Sequence, residues 1–231
     1  MKHVFVVAFA CLAVSTPAQA DALSDRLRAD AAKVGPDDFA WTRTTRAEQK
    51  SADESEGLVV IERYDPALPP ARRWTLVSRD GRPPSADDLK KTSKSYGKAI
   101  VPNYGRVARY LSGTLQRMPD AGGKAVYRFA KLAPGSMTIN GTDLSADATG
   151  ELVVETGGPA PYVSQVHIVS TKPVRMMLVV KIDRLEATLR YRMMPDGRMV
   201  PAESSNVMIG SMMGKSGTQR SVSTFSDWRA R

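Results

Sequence analysis

The sequence predicts a single α+β domain in which a long antiparallel meander carries helices over one face. Three observations predict it. Roughly the last hundred residues form a series of strand-like runs separated by turn residues. Such short connections force neighbouring strands to run antiparallel, because a parallel crossover needs about a dozen residues or more. The first half holds apolar residues at helical spacing, and each such stripe needs a surface to lie on. A chain of 231 residues is also sized for one core of ordinary dimensions.

Met1-Lys2-His3, the nearly unbroken apolar run from Val4 to Val14 and the small-x-small Ala18-Gln19-Ala20 form a secretory leader. The run falls short of the roughly 20 apolar residues that span a bilayer. The expectation is a signal peptide over 1–20 cleaved after Ala20, a domain over 21–231 and a periplasmic location. Cys11, the single cysteine, lies inside this leader. Ala8 and Phe9 stand where a lipidation signal carries Leu and a small residue, so Cys11 reads as part of the apolar run. The processed chain then has no disulfide, and its stability must come from packing.

Leu23, Leu27, Ala31 and Val34 predict a first helix over 22–34, ended by Gly35-Pro36. Phe39 and Trp41 open a strand, Lys50 to Gly57 reads as a polar surface loop, and Leu58–Tyr64 and Arg73–Arg79 read as strands before an Asp80-Gly81 turn. Ser85 and Asp88 resemble a capping box ahead of a lysine-rich helix that Pro102 interrupts. Tyr104, Val107, Leu111 and Leu115 predict a further amphipathic helix. Strands follow over 126–129, 150–156, 162–170, 176–193, 198–209 and 218–228, with turns at Gly157-Gly158-Pro159, Pro173 and Pro195-Asp196-Gly197.

This order of elements, with Arg63-Tyr64-Asp65-Pro66 leading to Trp74-Thr75-Leu76 and the Asp196-Gly197-Arg198-Met199-Val200-Pro201 turn, resembles the LolA/LolB superfamily of periplasmic lipoprotein carriers. The resemblance implies a strongly curved half-barrel with helices forming a lid over its concave face. It also implies an apolar cavity for a lipid or acyl chain. It carries no short motif from which ligand residues transfer. Alternation along the strands proposes the lining: Val59, Ile61, Trp74, Leu76, Leu152, Val154, Val166, Ile168, Leu178, Val180 and Ile182, with Leu111 from the helix and Met193 from the methionine-rich end. A one-residue slip reverses the parity of each strand, so alternation alone does not fix the inward set. Met176, Met177, Met193, Met194, Met199, Met208, Met212 and Met213 crowd the closing strands, where thioethers suit an adaptable surface and irregular core packing alike.

Catalytic and metal chemistry find little support. Ser95-Tyr96-Gly97-Lys98, Ser204-Ser205-Asn206 and Lys215-Ser216-Gly217 imitate the serine β-lactamase set, but Ser95 falls late in a polar helix and the last two motifs crowd together. Gly210 to Ser216 is one residue short of a phosphate loop and leads into a strand. Copper would need histidine near the methionines, and His167 is the single histidine outside the leader. His167, between Val166 and Ile168, reads as solvent-facing; Asp37-Asp38 and Asp87-Asp88 read as caps and turns. The charged residues of 181–192 and the helical first half oppose an outer-membrane barrel. The expectation is therefore a non-enzyme without cofactor or metal. Its net charge of +9 is scattered, which suits peripheral contact with anionic membrane and, in an exported chain, no nucleic acid. Its partner is a lipid or acyl chain or, in a second reading, another envelope protein that it senses or scaffolds.

Overall fold

The computed structural model describes residues 21–51, 54–96, 100–120, 122–139, 141–176 and 180–231. The leader with Cys11 and its cleavage point, Gly97, Lys98, Met177 and Leu178 lie outside these residues. Chain order runs α1 (Ala22–Ala32), β1 (Phe39–Ser51), β2 (Ser55–Tyr64), β3 (Trp74–Arg79), α2 (Ala86–Tyr96), α3 (Val107–Tyr110), β4 (Thr114–Arg117) and β5 (Lys124–Lys131). After β5 come β6 (Thr138–Ile139), β7 (Thr142–Asp143), β8 (Ala148–Glu155), β9 (Tyr162–Ser170), β10 (Val174–Met176), β11 (Val180–Met193), β12 (Met199–Met212) and β13 (Lys215–Ala230). The class is α+β, as predicted.

One open antiparallel sheet of eleven strands organises the domain, in the order β3-β2-β1-β13-β12-β11-β9-β8-β5-β4, with β10 paired to β11. The predicted meander is the run from β8 through β13. The strand nearest the C-terminus then pairs with the first strand, Phe39 opposite Ala230 and Ser51 opposite Gly217, so β1-β2-β3 joins the same sheet. β3 and β4 are its two edges, and no pairing closes it into a barrel.

Both cores lie on one face. Leu185 and Leu189 of β11 belong to a first core with Leu27 and Ala31 of α1, Val107 and Tyr110 of α3, and Tyr127, Leu152, Val154, Val166 and Ile168 of the sheet. Leu189 stands opposite Ser204, which stands opposite Ser223, and Ser223 shares its face with Phe225 two residues on. Phe225 belongs to a second core with Phe39, Trp41, Tyr64 and Val200. Between them runs a half-buried hydroxyl seam, where Ser204, Ser223 and Thr45 occupy one row and Thr45 and Ser223 share a 2.8 Å hydrogen bond.

Three predicted elements are corrected. The polar stretch 50–57 is mostly strand, because ladder pairing between Lys50 and Ser55 extends β1 and β2 almost to the hairpin tip. The helix predicted over 104–115 is one 3₁₀ turn, Tyr104–Arg106, and the single turn of α3. It stops because Gly113 runs against β5: a Cβ there would lie 2.4 Å from the Lys131 carbonyl oxygen, so the chain turns into β4 and carries Leu115 with it. The strand predicted over 176–193 is two, since Met176 pairs with Val180 in a reversal between β10 and β11.

Asp21 anchors α1. Its carboxylate accepts the Leu23 N–H at 2.9 Å as an N-cap, the Arg117 guanidinium at 2.9 Å and the Tyr127 hydroxyl. Burial pushes this carboxyl up, but the bonds from Tyr127, Leu23 and Arg117 together hold it below its ordinary 3.8. A depressed folded pKa makes its contribution complete above that ordinary value and lost as pH falls through the folded value. Asp21→Ala is expected to cost about 1–2 kcal/mol at neutral pH, with the gap from wild type narrowing in thermal melts taken at increasingly acid pH.

The β12–β13 hairpin closes on Met213-Gly214, both left-handed at φ 52° and 82°. A two-residue turn with both φ positive favours Asn-Gly, and a left-handed methionine is strained by about 1 kcal/mol. Met213 is 78% exposed and gains little burial in return. Met213→Asn is therefore expected to raise the melting temperature by about 2–4 °C, and an unchanged or lower value counts against a strained turn.

Candidate functional site

The second core is an aromatic cluster at the β3 end of the sheet. Trp41 stacks on Tyr64 at 5.3 Å and meets Trp74 and Phe225 edge-on at 5.2 and 5.4 Å. Trp228 lies 6.0 Å away and packs edge-on against Phe39 at 5.7 Å. The short strand sequence that brings these rings together is one row: Trp41 opposite Tyr64, and Tyr64 opposite Trp74. All three tryptophans of the chain are here.

A charged pair sits beside the rings. Arg43 and Glu62 are opposite residues on β1 and β2, and Arg43 Nε donates to Glu62 Oε2 at 2.9 Å. The Glu62 side chain is only 9% exposed and that of Arg43 22%. The same guanidinium lies 4.9 Å from the Trp74 ring centre, within cation–π range.

α2 covers this end of the sheet. Its start is the predicted capping box: Asp88 accepts the Ser85 N–H at 3.0 Å and the Ser85 hydroxyl at 2.7 Å, and Ser85 Oγ accepts the Asp88 N–H. Asp88 also faces Arg79 of β3 at 3.6 Å. None of the residues of α2 is buried. At its far end the Tyr96 ring lies nearly parallel to Trp74, 13° apart at 5.4 Å. The Tyr96 hydroxyl is buried without a hydrogen-bond partner among the described residues. Burial first, then the Glu62 charge, push that hydroxyl far above its ordinary pKa.

Tyr64 is tied beneath the cluster. Its hydroxyl donates to Asp37 at 2.7 Å, and Arg73 bonds both oxygens of the same carboxylate at 3.1 and 3.2 Å. Burial and the bond to Asp37 push the Tyr64 hydroxyl up to about 12. Asp37 is thus a tether, and Asp38 takes the Gly35 N–H at 2.7 Å, which accounts for the acidic pair as turn chemistry.

The expected lining residues divide sharply. Leu111, Leu152, Val154, Val166, Ile168 and Ile182 are buried in the first core, with Val180 half-buried against it. Leu76 is buried opposite Glu62, and Trp74 is half-buried in the aromatic cluster. Met193 is half-buried opposite Met199 at the end of β11. Val59 and Ile61 are corrected: Glu62 and Tyr64 set the parity of β2, which turns both residues to the opposite face. The methionines do not form one surface, since Met199 and Met208 pack on the first core, Met194 on the second, and Met213 stands exposed at a hairpin tip.

A crevice of about 10 Å³ lies where the two cores meet, lined in part by Phe39, Trp41, Asn103, Tyr104, Met199 and Trp228. That is room for one water. Trp228 Nε1 is buried without a hydrogen-bond partner among the described residues.

No protein-family model, curated protein or solved structure matches this chain.

The other motifs are scattered. Ser95 spends its hydroxyl on the Thr92 carbonyl at 2.8 Å, Ser204 lies in the hydroxyl seam and Lys215 ends the β12–β13 hairpin. The Gly210–Ser216 segment is that hairpin's tip, with no helix following it. His167 lies on the face away from both cores, its Nδ1 3.0 Å from Thr188 Oγ1 and its Nε2 3.9 Å from Glu186. No three His, Cys, Asp or Glu residues are placed to hold a metal among the described residues.

Arg43, Glu62, Tyr96, Trp41 and Tyr64 were not singled out as a site by strand alternation. One sign was present: Glu62 is a charged residue within the apolar run Leu58–Tyr64, on the parity of buried Tyr64.

Proposed function

We propose that this chain is an exported, non-catalytic carrier of an amphipathic ligand, a LolA/LolB-like half-barrel that works in the periplasm after removal of its leader. Its cargo is a lipid or the acyl chain of a lipoprotein. The observation that carries this reading is α2, a helix laid over an aromatic trough without burying any of its own residues. A permanent structural helix normally sinks an apolar stripe into the core, as α1 does with Leu27 and Ala31. Lifting α2 exposes Trp74 and the Arg43–Glu62 pair, and an acyl chain buried there and along the sheet gains about 0.8 kcal/mol per CH₂. Lys90, Lys91 and Lys94 on the same helix favour approach to anionic headgroups.

A second reading, a sensor or scaffold that binds another envelope protein, is favoured by the tight packing beneath the helices and the crevice of only about 10 Å³. Native mass spectrometry of protein purified gently from its own compartment separates the two. A retained lipid or acyl mass, or uptake of added phospholipid, is the expected result. A bare protein mass that stays bare when lipid is added overturns the carrier and leaves the scaffold.

A further inference from the structure

Tyr96 behaves as a ligand that the chain supplies to itself. It is a flat ring lying nearly parallel to Trp74, its hydroxyl buried beside Glu62, on the end of a helix that buries nothing else. The fit is incomplete. The Tyr96 hydroxyl is buried near Glu62 and Thr92 without a well-formed hydrogen bond among the described residues, which weakens the closed state. The opposite end of α2 is fixed more firmly, through the Ser85–Asp88 capping box and the Arg79–Asp88 contact. The stacked tyrosine is therefore the releasable end.

The chemistry left when Tyr96 departs is specific. Trp74 offers a flat apolar platform, and beside it Arg43 offers the N–H groups it does not spend on Glu62 Oε2, and Glu62 its other carboxylate oxygen. These two charges already neutralise each other. An anionic group drawn to Arg43, or a cationic one drawn to Glu62, would have to leave the other charge unpaired in a site where water is scarce. A neutral ring carrying several hydroxyls avoids that penalty. It lays one face on the indole, donates to Glu62 and accepts from Arg43 without separating them. We infer that Trp74, Arg43 and Glu62 form a subsite for a neutral sugar headgroup, closed in this structure by Tyr96 as an intramolecular stand-in. The inference rests on the carrier reading and adds the headgroup class to it: a glycosylated amphiphile in place of a purely acyl or phospholipid cargo.

The test uses two neutral probes with the same octyl chain, octyl β-glucoside and octyl tetraethylene glycol ether, each kept monomeric. Binding is measured by calorimetry and α2 opening by amide hydrogen exchange. The glucoside is expected to bind wild type at least tenfold more tightly than the ether. It should raise exchange across 86–96 and leave β8 and β9 unchanged. Tyr96→Ala, which removes the competitor, is expected to bind the glucoside roughly tenfold more tightly than wild type; Tyr96→Leu, which keeps apolar bulk without stacking, should fall in the same direction. Equal binding of both probes overturns the sugar subsite and leaves the carrier standing. Glucoside binding that neither Tyr96 variant alters overturns Tyr96 as its competitor. Failure of both probes to bind any of the three proteins overturns the subsite, and the lipid uptake experiment then decides the carrier on its own.

Discussion

Trp41→Ala is expected to cost about 3–5 kcal/mol of unfolding free energy, the usual range for deleting a large buried aromatic side chain. Trp41 is 1% exposed and touches four other rings, Tyr64, Trp74, Phe225 and Trp228. These come from β2, β3 and β13, so the cavity left behind is walled by three strands whose own ladders hold them in place. Little collapse can refill it. A loss of that size is a large share of the roughly 5–15 kcal/mol that stabilises a typical domain, and it should lower the melting temperature by about 10 °C. Urea titration followed by far-ultraviolet dichroism gives the free energy independently of the lost fluorophore. Val59→Ala, on the uncovered face of β2, is the control and should cost about 1 kcal/mol or less. Similar costs for the two would mean that the aromatic cluster does not hold the β3 end of the sheet together.

Arg43→Ala is expected to cost about 2–3 kcal/mol, and Glu62→Ala less. Breaking a fully buried pair typically costs about 3–5 kcal/mol because one charge is left uncompensated. The figure is reduced here because Arg43 keeps 22% of its side-chain exposure. The order follows from which charge is stranded. Without Arg43, Glu62 is left nearly enclosed with its charge unpaired. Without Glu62, the guanidinium keeps some water and its place over Trp74. Replacing both, as Arg43→Met with Glu62→Leu, should bring stability back to within about 1 kcal/mol of wild type, since apolar residues of similar volume need no partner. A double-mutant cycle from urea unfolding measures the coupling. Additive single losses would show that the two charges do not depend on each other.

Local chemistry explains which elements were legible in the sequence. Asp80-Gly81, the Ser85–Asp88 capping box and the Pro195-Asp196-Gly197 turn each carry their instruction within four residues, and each is found where the sequence places it. The buried alternation of β8 and β9 was equally plain, because those strands lie under α1 and α3 and show the pattern of Leu152, Val154, Val166 and Ile168. The helical spacing from Tyr104 to Leu115 misled because its later members are apolar for another reason. Leu115 is the partly buried residue of an edge strand, and the break at Gly113 depends on a carbonyl from Lys131, eighteen positions on.

The parity of β2 was illegible for a related reason. Leu58, Val59, Val60 and Ile61 are apolar on both faces, so the inward set is decided by Glu62 and Tyr64, whose partners Arg43, Asp37 and Arg73 come from elsewhere in the chain. The aromatic trough follows the same rule: Trp41, Trp74 and Trp228 lie far apart in sequence and meet only through the order of the strands. Tyr96 was visible merely as one letter of the Ser95-Tyr96-Gly97-Lys98 stretch.

The seam between β1 and β13 carries a kinetic consequence. Among the described residues it is the one ladder that links β3-β2-β1 to the remainder of the sheet, and it joins 39–51 to 217–230. During synthesis, β1 can pair with β2 as soon as both have emerged, but its other edge stays open until the last strand is available. Ladders of such long range are slow to form, because the entropy of closing the loop is lost before the contacts are gained. The aromatic cluster is completed in that same late event, since Phe225 and Trp228 arrive with β13. The β1 edge and the aromatic cluster therefore stay incomplete until β13 has emerged. Under the export proposed above, that delay leaves the chain time to thread a translocation pore before its tertiary structure forms.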